Sequence, residues 1–216
     1  MLESITNFFH NVFGDNVVLA TIIIAIVPLI ELKGAIPFAM SVDMWGEHAL
    51  SAMDAFLYAF LGSIIIVPIL ALIFKPLYEW VKDKKFFKSI ANFFVGSVNK
   101  KSQEVDEKTK EKSHTKTIWL KMLVVVLFVA FPVPLTGVWT GTCLAVLMGL
   151  NFWQSCLSVM FGNAICGLIV AFICSIFPNA TTIILIIFLS LIVIAFVIKL
   201  IEYFVRKKGE KNEIKQ

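Results

Sequence analysis

Glu31 and Lys33 are the only charges between Asp15 and Asp43, and they lie inside an otherwise apolar segment, residues 17–40. Ionisable side chains at membrane depth are costly and mark functional positions by default. Two residues apart, they do not face each other on a regular helix. Pairing would therefore need local unwinding, which Gly34 and Pro37 would permit. A deep Glu31 could carry a proton during transport, and Lys33 could hold an anionic head group. In a shallow segment both would instead snorkel to the outer interface. Ser63, Thr136, Thr140, Thr142 and Asn163 offer uncharged hydrogen bonds to a substrate or between helices, and Trp139 either contacts a ligand or marks an interface. His10, His48 and His114 have no metal-ligand spacing and no nucleotide-binding loop occurs, so the chain is not read as an enzyme and no catalytic residue, metal or cofactor is expected.

The elements that position these residues must lie in lipid. Of 216 residues 59% are hydrophobic and 16% charged, with a mean hydropathy of +0.88, too apolar for a soluble domain. Residues 122–198, a run of 77, contain neither charge nor His. That excludes a secreted disulfide scaffold, a nucleic-acid binder and a soluble doubly wound enzyme. Cys143, Cys156, Cys166 and Cys174 all fall in this run without a CxxC and read as small buried hydrophobes. Glu3 stands where a cleavable signal would carry a basic region.

Charge placement sets the expected topology. Residues 1–54 carry six acids against Lys33, residues 75–121 twelve Lys against six acids, and residues 199–216 six bases against three acids. Lys and Arg collect on cytoplasmic loops, which predicts that the linker 75–121 and the C-terminus are cytoplasmic. About 20 apolar residues make a helical span, and segments 54–74, 152–174 and 180–203 qualify. Segment 118–150 is broken by Phe131-Pro132-Val133-Pro134-Leu135-Thr136-Gly137 into arms too short to cross. With both flanking basic regions on one side it must turn back, as a re-entrant hairpin. Segment 16–41, broken at Pro28 and again from Gly34 to Pro37, is a second hairpin or a broken span. Residues 1–15 predict an outer surface helix with Leu2, Ile5, Phe9 and Val12 on one face. Residues 75–117 predict a cytoplasmic amphipathic helix (77–98) with a charged, flexible connector (100–117), and residues 204–216 a cytoplasmic tail.

The two halves match each other. Placing Gly34 opposite Gly137 brings Gly62-Ser63 and Gly162-Asn163 into corresponding spans, 28 and 25 residues downstream of their glycines. The spans run in opposite directions, so the expectation is one all-α integral membrane domain, residues 1–216. It is an inverted repeat of re-entrant hairpin plus transmembrane helix, with an additional C-terminal transmembrane helix. Such repeats of broken helices characterise secondary transporters, with the site near the midplane where the breaks meet. A short match of this kind also arises where Gly and Pro merely kink packed helices.

Glu31-Leu32-Lys33-Gly34-Ala35-Ile36-Pro37, Leu61-Gly62-Ser63 with Pro68, Phe128 through Gly141 and Gly162-Asn163 resemble the small multidrug export protein family of bacteria and archaea, over about residues 17–175. That family usually has Arg at position 33, Asn at 63 and Gly at 135. It is distantly similar to the DedA and VTT membrane proteins, which the resemblance associates with paired re-entrant hairpins and with moving a polyprenyl-phosphate carrier lipid. The DedA hairpins typically bear an embedded Arg in the second half, where this chain has Thr136. The expected function is a transporter or exporter in the bacterial inner (plasma) membrane, with Glu31 as proton carrier, Lys33 as its charge partner, and Gly34, Pro37, Ser63, Pro132, Pro134, Thr136, Gly137, Trp139, Thr140 and Asn163 around the site. The alternatives are a carrier-lipid translocase and a structural assembly protein. The expected partners are the bilayer and a small amphiphile or lipid phosphate, with a homodimer left open and no nucleic acid.

Overall fold

The computed structural model describes residues 2–81, 110–133 and 136–177, with 183, 184, 187 and 190. Its helices are α1 (Leu2–Phe13), α2 (Val17–Ile26), α3 (Glu31–Met40), a single turn α4 (Val42–Trp45) with the 3-10 turn Gly46–His48, α5 (Ala52–Val81), α6 (Lys110–Ala130), α7 (Val138–Leu147) and α8 (Phe152–Ile176). Among the described residues there is no strand. The chain is an all-helical membrane protein. Ala52–Pro76 and Phe152–Ile176 are each 25 residues long and apolar enough to cross a bilayer, and at 1.5 Å per residue either exceeds a core of about 30 Å. α1 meets α2 at 105°, and a third crossing arises if that bent pair is one span. The predicted C-terminal span 180–203 apart from residues 183, 184, 187 and 190, the tail 204–216, linker residues 82–109 and Pro134 lie outside the described residues.

Local chemistry explains the breaks. Asn16 caps α2 by accepting the Leu19 N–H at 3.0 Å. The helix ends ahead of Pro28, whose ring disfavours helical geometry at the preceding residue, and the chain turns through Leu29 (φ 75°) and Glu31 (φ 52°), both left-handed. The unwinding therefore ends at Glu31, the first of the charged pair. Gly34 and Pro37, expected to supply it, lie inside α3. Two other boundaries move. α5 continues past the expected end at 74, through Pro76 to Val81, into the start of the expected interfacial helix. α6 starts at Lys110, so the last residues of the expected flexible connector are helical, in keeping with the helix propensity of a Lys- and Glu-rich run.

Packing relates the two halves. α2 packs on α3 and α5, and α3 also on α5 and α8; correspondingly α6 packs on α7 and α8, and α7 also on α8 and α5. Exchanging α2, α3 and α5 for α6, α7 and α8 leaves this set of contacts unchanged, with the α5–α8 pair common to both. Phe56 near the start of α5 lies against Gly167 near the end of α8, while Val67 and Ala71 share a cluster with Cys156 and Val159. The two long helices therefore run antiparallel.

Close contacts fix the register. A Cβ on Gly62 would overlap the Ile22 carbonyl oxygen and come within 3.0 Å of Ala25 Cβ. A Cβ on Gly162 would come within 2.6 Å of the Val126 carbonyl oxygen and 2.8 Å of Val129 Cβ. Each glycine lets a long helix seat on the arm ahead of its half's break. Counted from the helix starts, Glu31 falls opposite Val138 and Gly34 opposite Gly141, four residues from the expected pairing of Gly34 with Gly137. The first break is shorter and the connection through α4 longer than their counterparts, which displaced the sequence match.

Candidate functional site

The two breaks meet. Lys33, 3% exposed, projects from the first turn of α3 and donates from Nζ to the Val133 carbonyl and to Thr136 Oγ1, both at 2.9 Å. The Thr136 hydroxyl lies 2.8 Å from the Phe131 and Val133 carbonyls and donates its single proton to one of them. Val133 and Thr136 thus turn their oxygens toward the cation of the other half. A buried ammonium requires such acceptors.

Glu31, 5% exposed, makes the complementary contact. Its Oε1 accepts the Trp139 N–H at 3.3 Å, and the Val138 N–H also donates to the carboxylate. These are the first free N–H groups of α7, where the helix dipole favours negative charge. Gly137, the residue before α7, admits the carboxylate because it has no Cβ; one would overlap both carboxylate oxygens. The Trp139 indole Nε1 donates to the Ile26 carbonyl at 3.2 Å, closing the end of α2. Glu31 and Lys33 are near enough to feel each other's charge, and Cys166 on α8 is near both. The acid and the base make no direct ion pair with each other; each is satisfied by the opposite break.

The remaining expected residues divide. Pro132 is exposed beside the site, and the Thr140 hydroxyl lies 3.4 Å from the Gly137 carbonyl. Gly34 and Pro37 are buried within α3. Ser63 is 1% exposed and donates to the Ala59 carbonyl of its own helix at 3.2 Å, and Thr142 donates likewise to Val138 at 2.6 Å. Asn163 is 1% exposed, yet neither amide atom has a hydrogen-bond partner. Sequence reasoning missed the carbonyls of Val133 and Ile26 and the Val138 N–H, because backbone groups carry no residue signature. It also missed Cys166, whose place beside the charges depends on how α8 packs. Among the described residues no three of His, Cys, Asp and Glu gather as a metal site, and all four cysteines are free.

Broken helices with a buried acid and base at their junction, in a bundle with two helices that can span, define the class of protein as a helical membrane protein. The chain belongs to the family described as "Putative small multi-drug export protein", whose model matches residues 31–169, well over half its length. The match begins at Glu31, just after the first break, and includes α3, α5, α6, the second break, α7 and most of α8. No curated protein and no solved structure matches the chain significantly.

Proposed function

We propose that this chain is a small exporter of the bacterial inner membrane, with its transport site where the two breaks meet and Glu31 as the proton carrier. The observation that carries the proposal is the pair of 2.9 Å contacts from Lys33 to Val133 and Thr136. They join two broken helices, about a hundred residues apart in sequence, through a buried charge. Backbone left unpaired at a helix break must be buried in protein or line a wet cavity, and here it faces ionisable side chains. The exchange of contacts between halves and the antiparallel α5 and α8 support an inverted repeat, in which rocking one half against the other would expose the site to each side in turn. In this reading each break is the tip of a re-entrant hairpin, and the Lys-rich linker faces the cytoplasm.

The test is proton-coupled flux in proteoliposomes that hold the purified chain. Glu31→Gln is expected to abolish coupling while keeping the fold. Flux and coupling equal to the parent's would refute this role for Glu31. The carrier-lipid translocase reading makes a different prediction, in which polyprenyl phosphate, rather than soluble amphiphiles, raises the melting temperature.

A further inference from the structure

The carboxylate of Glu31 lies where a helix N-terminus ordinarily receives an anion. Trp139 and Val138 donate their N–H groups to it, Gly137 leaves room for its oxygens, and the charge of Lys33 is close by. Its backbone is in the left-handed region at φ 52°, two residues after Leu29 at 75°. Such conformations persist in residues other than glycine only where the surroundings hold them. The backbone at Glu31 is therefore held by its surroundings in the conformation that aims the carboxylate at α7.

A second observation points to a ligand in the same region. Asn163 on α8 is 1% exposed with both amide atoms unpartnered. Buried amides rarely lack partners, and each orphaned group needs an explanation. One helical turn further on the same buried face, Cys166 lies near both Lys33 and Glu31, so this face of α8 is turned toward the pair. Phe131 and Val133, in the loop whose carbonyls face Lys33 and the Thr136 hydroxyl, are 65% and 40% exposed and give an apolar way out to the bilayer.

We propose that the N-terminus of α7 together with Lys33 is a carboxylate seat, filled by Glu31 as an internal ligand, which a carboxylate-bearing amphiphile takes when Glu31 swings out. The inference deepens the transport reading and rests on it for the identity of the site. A carboxylate is the class because a planar group with two oxygens already fits the space. The ligand's tail leaves over Phe131 and Val133, and Asn163 gains a partner among the ligand's oxygens or their water. An internal ligand weakens an external one in proportion to its occupancy.

The experiment measures saturable binding of radiolabelled dodecanoate to the full chain in lipid nanodiscs. Glu31→Ala is expected to bind about tenfold more tightly than the parent because the competitor is gone. Glu31→Gln, which keeps an acceptor in the seat, should fall between them. Lys33→Met and Gly137→Ala should lose saturable binding, the latter because its methyl group fills the seat. Acetate should compete only at far higher concentration than dodecanoate, which separates a free carboxylate from an amphiphile. The proposal is overturned if both Glu31 variants bind no tighter than the parent, if Lys33→Met binds as well as the parent, or if dodecyl phosphate displaces the label better than unlabelled dodecanoate. Because binding is read without flux, a chain that binds in this pattern but transports nothing would refute the transport reading and leave the seat standing.

Discussion

The place a Cβ would take on Gly137 is filled by the carboxylate of Glu31, which comes from the other half of the chain. The contact makes Gly137→Ala a test of the junction that leaves every charge in place. The methyl group must evict the carboxylate from the Val138 and Trp139 N–H groups, an expected loss of about 2–4 kcal/mol from overpacking and a displaced buried charge. Glu31→Ala removes the object of the clash. A double-mutant cycle by thermal melting in detergent should therefore show the pair less destabilised than the sum of the single changes, by at least about 1 kcal/mol. Additive losses would mean that Glu31 does not occupy this position.

Lys33→Met should be among the most damaging single changes in the chain. It strips the buried Glu31 of its neighbouring positive charge and leaves the Val133 carbonyl and Thr136 oxygen without their shared donor. Breaking a buried charge arrangement by removing one member costs about 3–5 kcal/mol. Adding Glu31→Gln should recover part of that, and Lys33→Arg should retain most of the parent's stability, since its fork can reach two acceptors. Equal melting temperatures for parent and Lys33→Met would contradict the buried junction.

How much of this was legible in the sequence depended on whether the signal belonged to side chains. Glu31, Lys33, Thr136, Gly137 and Trp139 stood out because charges and helix breakers are conspicuous in an apolar segment, and they do come together. The acceptors and donors that satisfy them are largely main-chain groups, on which composition is silent. The first break was assigned partly to Gly34 and Pro37, but helix α3 runs through both. Breakers show where a helix can yield, whereas packing decides where it does, and here Pro28 with two left-handed residues provides the turn.

The matched roles of Gly62 and Gly162 predict matched costs. An alanine at either position drives a methyl group into the carbonyl and side chain of the preceding arm, at Ile22 and Ala25 or at Val126 and Val129. Overpacking of this kind costs about 1–3 kcal/mol, and the two variants should melt within about 1 kcal/mol of each other. Gly149→Ala is the contrast, because its Cβ meets nothing within 4 Å and its cost is the left-handed φ of +73°, about 1–2 kcal/mol. A large loss at Gly162 with none at Gly62 would show that the two seatings are not equivalent.

Asn163 separates stability from activity. Its amide is buried without a partner, and leaving such a group unsatisfied costs about 1–3 kcal/mol. A structural role predicts that Asn163→Leu, close in volume and without polar atoms, keeps or raises the melting temperature and leaves activity alone. If the amide serves a ligand instead, the same substitution should raise the melting temperature by a few degrees while lowering flux at least tenfold, the trade expected where function maintains a destabilising residue. Asn163→Asp should impair both, because it adds an unpaired buried charge. Melting and flux measured on the same preparations decide the matter, and full flux from a stabilised Asn163→Leu protein would remove Asn163 from the site.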